Sequence, residues 1–209
     1  MRLVLASNNA GKLAELQTLF APLALELVAQ PALAIPEADE PHATFVENAL
    51  AKARHAARAG GCAAIADDSG LCVDALGGAP GVASAHYAPA VLPAAGREAQ
   101  RRVQDAANNA LLQQRLAGVE DRAARFVCTL VALRSADDPE PLVSTGRWHG
   151  ELLREGRGSG GFGYDPLLYI AELGRSVAEL DAATKNALSH RAVAARQMLA
   201  LMREAWRLG

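Results

Sequence analysis

The chain is most constrained where an apolar run, residues 62–66, gives way abruptly to Asp67-Asp68-Ser69-Gly70. The run reads as a buried strand. A carboxylate that leaves water must find a partner, so a buried strand closing on two acids calls for positive charge beside them. A divalent cation is one source, since Mg2+ favours sites of one or two carboxylates completed by phosphates. Asp, Ser and Gly also form turns by themselves, and a plain polar turn accounts for this stretch taken alone. The choice depends on the rest of the chain.

Residues 3–6 read as a first strand. Ser7-Asn8-Asn9-Ala10-Gly11 breaks it, and Lys12 opens a helix on which Leu13, Leu16, Leu19 and Phe20 recur at helical spacing. Strand, polar loop and helix N-terminus together offer an anion free backbone N–H groups and a favourable dipole. Lys12 adds a full charge. The segment is not a Walker loop, because Leu13 follows Gly11-Lys12 and the earlier glycine is missing. A simple capping role for Asn8 or Asn9 is equally compatible.

Residues 25–29 read as a second strand. Residues 30–42 form a loop punctuated by Pro31, Pro36 and Pro41 and carrying Glu37, Asp39 and Glu40. Thr44-Phe45-Val46-Glu47 fits a capping box, opening a helix that runs to about Ala59 and stops at Gly60-Gly61. Asn48, Lys52 and His55 lie near one face of it. Such a stripe ordinarily faces solvent, but this helix leads directly into the acidic strand end, where Lys52 would overlook the acids.

Residues 71–76 read as another strand, 77–81 as a loop, and a helical pattern runs from near Arg97 to near Gly118. Residues 126–133 and 142–148 read as two long strands joined by a turn at 135–139. Five glycines between Gly156 and Gly163 free the backbone for unusual turns or close approach to a ligand. A short helix or turn at 178–183 precedes a last helix whose expected apolar face is Leu188, Ala192, Ala195, Leu199, Met202 and Trp206. Lys185, His190 and Arg191 fall near its start, where cations oppose the helix dipole unless an anion is brought to them.

Composition narrows the field. A 209-residue chain with 51% hydrophobic and 21% charged residues has ample material for a core. Its net charge of -2 gives no field to attract nucleic acid or an anionic membrane. No apolar stretch approaches the roughly 18 residues of a membrane span, and residues 1–6 are too short an apolar run for a secretion signal. Cys62, Cys72 and Cys128 lack metal-binding spacing and read as small buried hydrophobes. The expectation is a cytoplasmic protein with neither nucleic acid nor membrane as partner.

Six separated segments then agree. They are Ser7-x-Asn9-x-x-Lys12, Thr44-Phe45-x-Glu47-Asn48-Ala49 with Lys52, Ala66-Asp67-Asp68-Ser69-Gly70-Leu71, Gly77-Gly78-x-Pro80-Gly81, Gly161-Phe162-Gly163-Tyr164-Asp165-Pro166, and Ser189-His190-Arg191. In this order, over nearly the full length, the chain resembles the inosine triphosphate pyrophosphatase family in its bacterial dITP/XTP pyrophosphatase branch. Each motif is weak by itself, whereas six in order are specific.

The resemblance implies an α/β fold. A single domain over residues 1–209 would have two lobes and a long twisted mixed sheet, with helices on both sides and a central nucleotide cleft. It implies a homodimer that uses Mg2+ to convert ITP, dITP and XTP to the monophosphate and pyrophosphate, cleansing the nucleotide pool. Carried over by motif, Ser7, Asn8, Asn9, Ala10, Gly11 and Lys12 would bind the triphosphate, with Lys52 also facing substrate. Asp68 would be the catalytic carboxylate and a metal ligand, and Ser69 would touch substrate. Phe162, Gly163, Tyr164, Asp165, Lys185, His190 and Arg191 would surround the base and sugar-phosphate. The family's second metal carboxylate, usually Glu, falls on Asp39, with Glu40 beside it.

These residue types suit the chemistry. Lys12, Lys52 and a helix N-terminus can neutralise a triphosphate. Asp68 can deprotonate the water that attacks the α-phosphorus, or hold a metal that acidifies it, and the sequence leaves both open. Donors such as Lys185, His190 or Arg191 would match a 6-oxo purine and leave adenine's amino group unmatched. Phe162 and Tyr164 are candidates either to stack on a base or to pack in the core. A related pyrophosphatase of the Maf type and a nucleotide sensor without hydrolysis are the alternatives. The Asp-Asp-Ser-Gly and Ser-His-Arg segments argue against the first. Asp68 together with Lys12 argues against the second.

Overall fold

Strand and helix alternate through the first third of the chain, as its apolar periodicity dictates. A computed structural model describes residues 1–23, 25–90 and 96–208. The elements run β1 (Arg2–Leu5), α1 (Ala10–Phe20), β2 (Glu26–Ala29), α2 (Phe45–Gly60), β3 (Ala63–Val73) and α3 (Arg97–Arg115). They continue with β4 (Ala123–Leu133), β5 (Leu142–Leu152), β6 (Leu168–Ile170), β7 (Arg175–Ser176), α4 (Ala182–Leu188) and α5 (His190–Ala205). Among the described residues the strands form one seven-stranded sheet in the order β2-β1-β3-β4-β5-β6-β7. The sheet is mixed: β1 is parallel to both β2 and β3, whereas β6 is antiparallel to β5 and to β7.

The residues group into two compact units. The first comprises Met1–Asp68, Cys128–Arg147 and Asn186–Gly209, the second Ser69–Val127 and Trp148–Lys185. In the first unit the two-residue period of the strands sorts side chains between two cores. One face carries Leu3, Leu5, Ala63, Ile65, Cys128 and Leu130 against Leu16 and Phe20 of α1 and Met198 and Met202 of α5. The other carries Val4, Ala6, Ala64, Ala66 and Val131 against Ala49, Ala53, Ala56 and Ala57 of α2. Gly146 on β5 is required by close approach, since a Cβ there would lie 2.0 Å from the carbonyl oxygen of His190. The second unit has its own core, built on Leu71, Val73, Leu112, Phe126, Trp148 and Leu168.

Local signals place several boundaries. Asn9 caps α1 by accepting from the Lys12 N–H at 3.1 Å, while Asn8 instead accepts from Gln30 Nε2 at 3.2 Å. The Thr44 hydroxyl accepts from the Glu47 N–H and donates to the Glu47 carboxylate, and α2 ends at Gly61 with φ of 60°.

Two expectations are corrected. The strand does not end at the acids: β3 runs unbroken through residues 67–70, and Asp74–Leu76 is a short 3-10 turn. Cationic side chains neutralise both acids inside the sheet, so the strand has no need to break for hydration. Leu188 does not belong to the apolar face of the last helix, because it ends α4 and is 43% exposed. The helix is interrupted at Ser189, whose side chain caps α5 by accepting from the Ala192 N–H at 3.1 Å.

Candidate active site

Adjacent residues of a strand point to opposite faces, and this separates Asp67 from Asp68. Asp67 shares its parity with Ala63 and Ile65 and faces α1 and α5. Asp68 shares its parity with Ala64 and Ala66 and faces α2.

On the first face, Lys12 Nζ lies 2.6 Å from Asp67 Oδ1, and Arg191 Nε donates to Asp67 Oδ2 at 2.7 Å. The Cys128 thiol donates to the same oxygen at 3.2 Å. Arg191 also donates through Nη1 to Glu15 at 2.5 Å. Burial pushes the Asp67 carboxyl upward, but Arg191 and Lys12 outweigh it and hold the group well below the ordinary carboxylate value. Burial pushes the Cys128 thiol well up, and the Asp67 charge adds to the shift. Arg191 therefore sits at a helix N-terminus because its own protein supplies the anions.

On the second face, Lys52 Nζ lies 2.9 Å from Asp68 Oδ1 and 2.9 Å from Glu40 Oε2. Asp68 Oδ2 is buried and makes no hydrogen bond. Burial raises the Asp68 carboxyl to about 6 against the pull of Lys52 and Lys12, and Glu40 adds to the rise. Burial alone would lower the Lys52 ammonium, yet Asp68 and Glu40 raise it on balance.

The polar stripe of α2 faces this cluster and its loop. Asn48 accepts from the His42 N–H at 3.0 Å and donates to the His42 carbonyl at 3.2 Å, and the His55 ring lies 3.0 Å from the Pro36 carbonyl. The stripe thus pins the acidic loop so that Glu40 reaches Lys52. Asp39, the residue expected to be the second metal carboxylate, and Glu40 are both exposed, and it is Glu40 whose carboxylate lies beside Lys52.

The second unit holds another group of expected residues. Asp165 Oδ2 accepts from the Phe162 N–H at 3.0 Å and from Lys185 Nζ at 2.7 Å, and Lys185 Nζ lies 4.6 Å from the Phe162 ring centroid. Tyr164 packs in the core, and its hydroxyl donates to the Ser84 carbonyl at 3.0 Å. Ser69 is half-buried on β3, and His190 is buried in the first turn of α5. Glu15 escaped the sequence reading, although its place three residues after Lys12 puts the two on one face of α1.

The arrangement is that of an α/β protein with two adjacent buried carboxylates, one held by Lys12 and Arg191 and the other by Lys52. A family model described as the Ham1 family matches residues 3–201, and the chain belongs to that family. It is 72% identical over 206 residues to a dITP/XTP pyrophosphatase of Methylibium petroleiphilum, covering 99% of each chain. It is 69% identical to a dITP/XTP pyrophosphatase of Leptothrix cholodnii, covering 100% of each. The solved structure of a HAM1 protein from Coxiella burnetii matches with a TM-score of 0.85 and 42% identity, covering 98% of this chain and 99% of that one.

Proposed function

We propose that the protein hydrolyses non-canonical purine nucleoside triphosphates, namely ITP, dITP and XTP, to the monophosphate and pyrophosphate. The observation that carries this reading is the buried Asp68 carboxylate, which keeps one oxygen without a hydrogen bond beside Lys52 and Glu40. The naming of close relatives as dITP/XTP pyrophosphatases supports the substrate class.

In this reading Ser7, Asn8, Asn9, Ala10, Gly11 and Lys12 bind phosphate oxygens through the first turn of α1 and the lysine charge. Asp68 takes the proton of the water that attacks the α-phosphorus, and the bond to the departing pyrophosphate breaks as the new P–O bond forms. In the protein without metal, burial raises this carboxyl to about 6, within reach of proton transfer near neutral pH. Lys52 keeps Asp68 and Glu40 oriented and offsets charge gathered from substrate.

The donor set also suits Mg2+. Among the described residues no three or more His, Cys, Asp or Glu side chains gather as a metal cage. Two carboxylates shared with substrate phosphates are the pattern this ion accepts. Asp68 would hold it, together with Asp39 at the motif position or with Glu40, the carboxylate beside Lys52. Bound there, Mg2+ supplies charge neutralisation to the triphosphate and acidifies water. Phe162 stacks on the base, Lys185 and His190 supply donors for its 6-oxo group, and Arg191 serves Asp67. The family resemblance also supports a cytoplasmic homodimer. No helix among the described residues is long and apolar enough to cross a membrane.

Incubation with ITP, dITP, XTP, GTP and ATP plus Mg2+, in isotope-labelled water with products resolved, tests the proposal. The expected outcome is pyrophosphate from the first three, label in the monophosphate, and little turnover of ATP. Orthophosphate as the direct product, or equal turnover of ATP, overturns it.

A further inference from the structure

Gly163 has φ of +63°, which favours glycine, and it follows the half-buried Phe162. Two side chains from α3 hold both of its backbone groups. Asp105 Oδ2 accepts from the Gly163 N–H at 2.9 Å, and Asn109 Nδ2 donates to the Gly163 carbonyl at 3.0 Å. Asp105 and Asn109 are four residues apart, so they stand one turn above the other on the same face of the helix. The neighbouring face of α3 grips a different segment: Asn108 donates to the Ser84 and Ala85 carbonyls, and Gln104 donates to the Ala88 carbonyl. The Tyr164 hydroxyl donates to the Ser84 carbonyl as well. The two peptide units that flank Gly163 are therefore fixed to one helix.

Regular secondary structure does not explain this pairing, because residue 163 lies in a turn outside the sheet. Its consequence falls on Phe162. With Gly163 held from α3 and the Phe162 N–H held by Asp165, the direction of the Phe162 ring is set, and so is the 4.6 Å separation between that ring and Lys185 Nζ. A planar ring with an ammonium over its face offers a stacking surface and one charged donor at a defined place. That combination distinguishes a 6-oxo purine from a 6-amino purine only while the ring cannot turn.

We propose that Asp105 and Asn109 are positioning residues for base selectivity, acting through Gly163 to fix Phe162. The inference rests on the assignment of Phe162 to the base. Asp105→Ala and Asn109→Ala each remove one bond to Gly163, while Asp105→Asn keeps an acceptor of the same shape. The expected result, with ITP and ATP as substrates, is a KM for ITP raised about tenfold and kcat changed less than about threefold in both alanine variants. The preference for ITP over ATP should shrink by a similar factor. Asp105→Asn should restore most of both quantities.

A merely structural role would lower the melting temperature, or lower activity on both nucleotides together, without changing the preference. An unchanged ITP-to-ATP preference in Asn109→Ala overturns the inference even if Asp105→Ala fails to fold. Phe162→Ala separates the two readings. If it raises the KM for ITP and the α3 variants do not, the base assignment stands and only the positioning role is lost. If it leaves KM unchanged, the base assignment falls and takes this inference with it.

Discussion

Asp67 and Asp68 are chemically identical neighbours whose carboxyls are shifted in opposite directions, and the environments of their two faces account for the difference. Asp67 is fully buried between a lysine and an arginine, which hold it ionised. Removing its charge would leave the buried Arg191 with Glu15 as its remaining anion, and breaking a buried ion pair costs up to about 3–5 kcal/mol. Asp68 is buried with weaker compensation and sits near 6, so at pH 7 it is ionised against its surroundings. Asp67→Asn should therefore lower the melting temperature markedly. Asp68→Asn should keep or raise it while abolishing turnover and preserving nucleotide binding. Calorimetry beside single-turnover kinetics checks the pair, and a large destabilisation confined to Asp68→Asn would reverse these roles. The need for cations near the acids was legible in the sequence. Which cation meets which acid was not, because Arg191 is 124 positions from Asp67 and 176 from Glu15.

At the scale of elements, what was legible was local. The Asn9 and Thr44 caps, the end of α2 at Gly60-Gly61 and the two long strands β4 and β5 all follow from residues within a few positions of one another. The continuity of β3 was hidden because two adjacent acids resemble a strand end until their partners are known. That Glu40 is the loop acid beside Lys52 was hidden because a proline-punctuated loop has no period to assign its faces. The turn between β4 and β5 allows a direct test. Asp138 accepts from Arg134 through backbone and guanidinium, and from the Glu140 N–H. The Arg134 hydrogen bonds hold its carboxyl down to about 2 from 3.8. A lowered carboxyl stabilises the fold above its unfolded value, and the contribution is lost as pH falls from near 4 towards 2. Asp138→Asn should cost on the order of 1 kcal/mol at pH 7. The deficit should close on acidification, as chemical denaturation across that range would show. A deficit that persists at pH 2 would remove the ionic account.

For the molecule as a whole, β3, β4 and β5 each begin in one unit and end in the other. Half of each strand cannot lose its ladder without exposing backbone groups in the other half. Unfolding is therefore expected as a single transition, although the two units have separate cores. The protein carries a reporter in each, with Trp148 in the core of the second unit and Trp206 packed against that of the first. Trp148→Phe and Trp206→Phe variants, followed by fluorescence, should lose their signal at the same denaturant concentration after correction for each variant's stability by circular dichroism. Two separated midpoints within one variant would show units that melt independently. The six motifs made the family legible across this architecture, whereas the clamp of α3 on Gly163 depends on tertiary packing that no motif encodes.

The alternation along β3 has a consequence for how this gene can change. Surface loops tolerate added or missing residues, but the count from Ala63 to Asp68 has no such latitude. One residue more or fewer before the acids would turn Asp68 to the face of Arg191 and Asp67 to the face of Lys52, with composition almost unaltered. Homologues should thus vary freely in what fills those strand positions and hardly at all in their number.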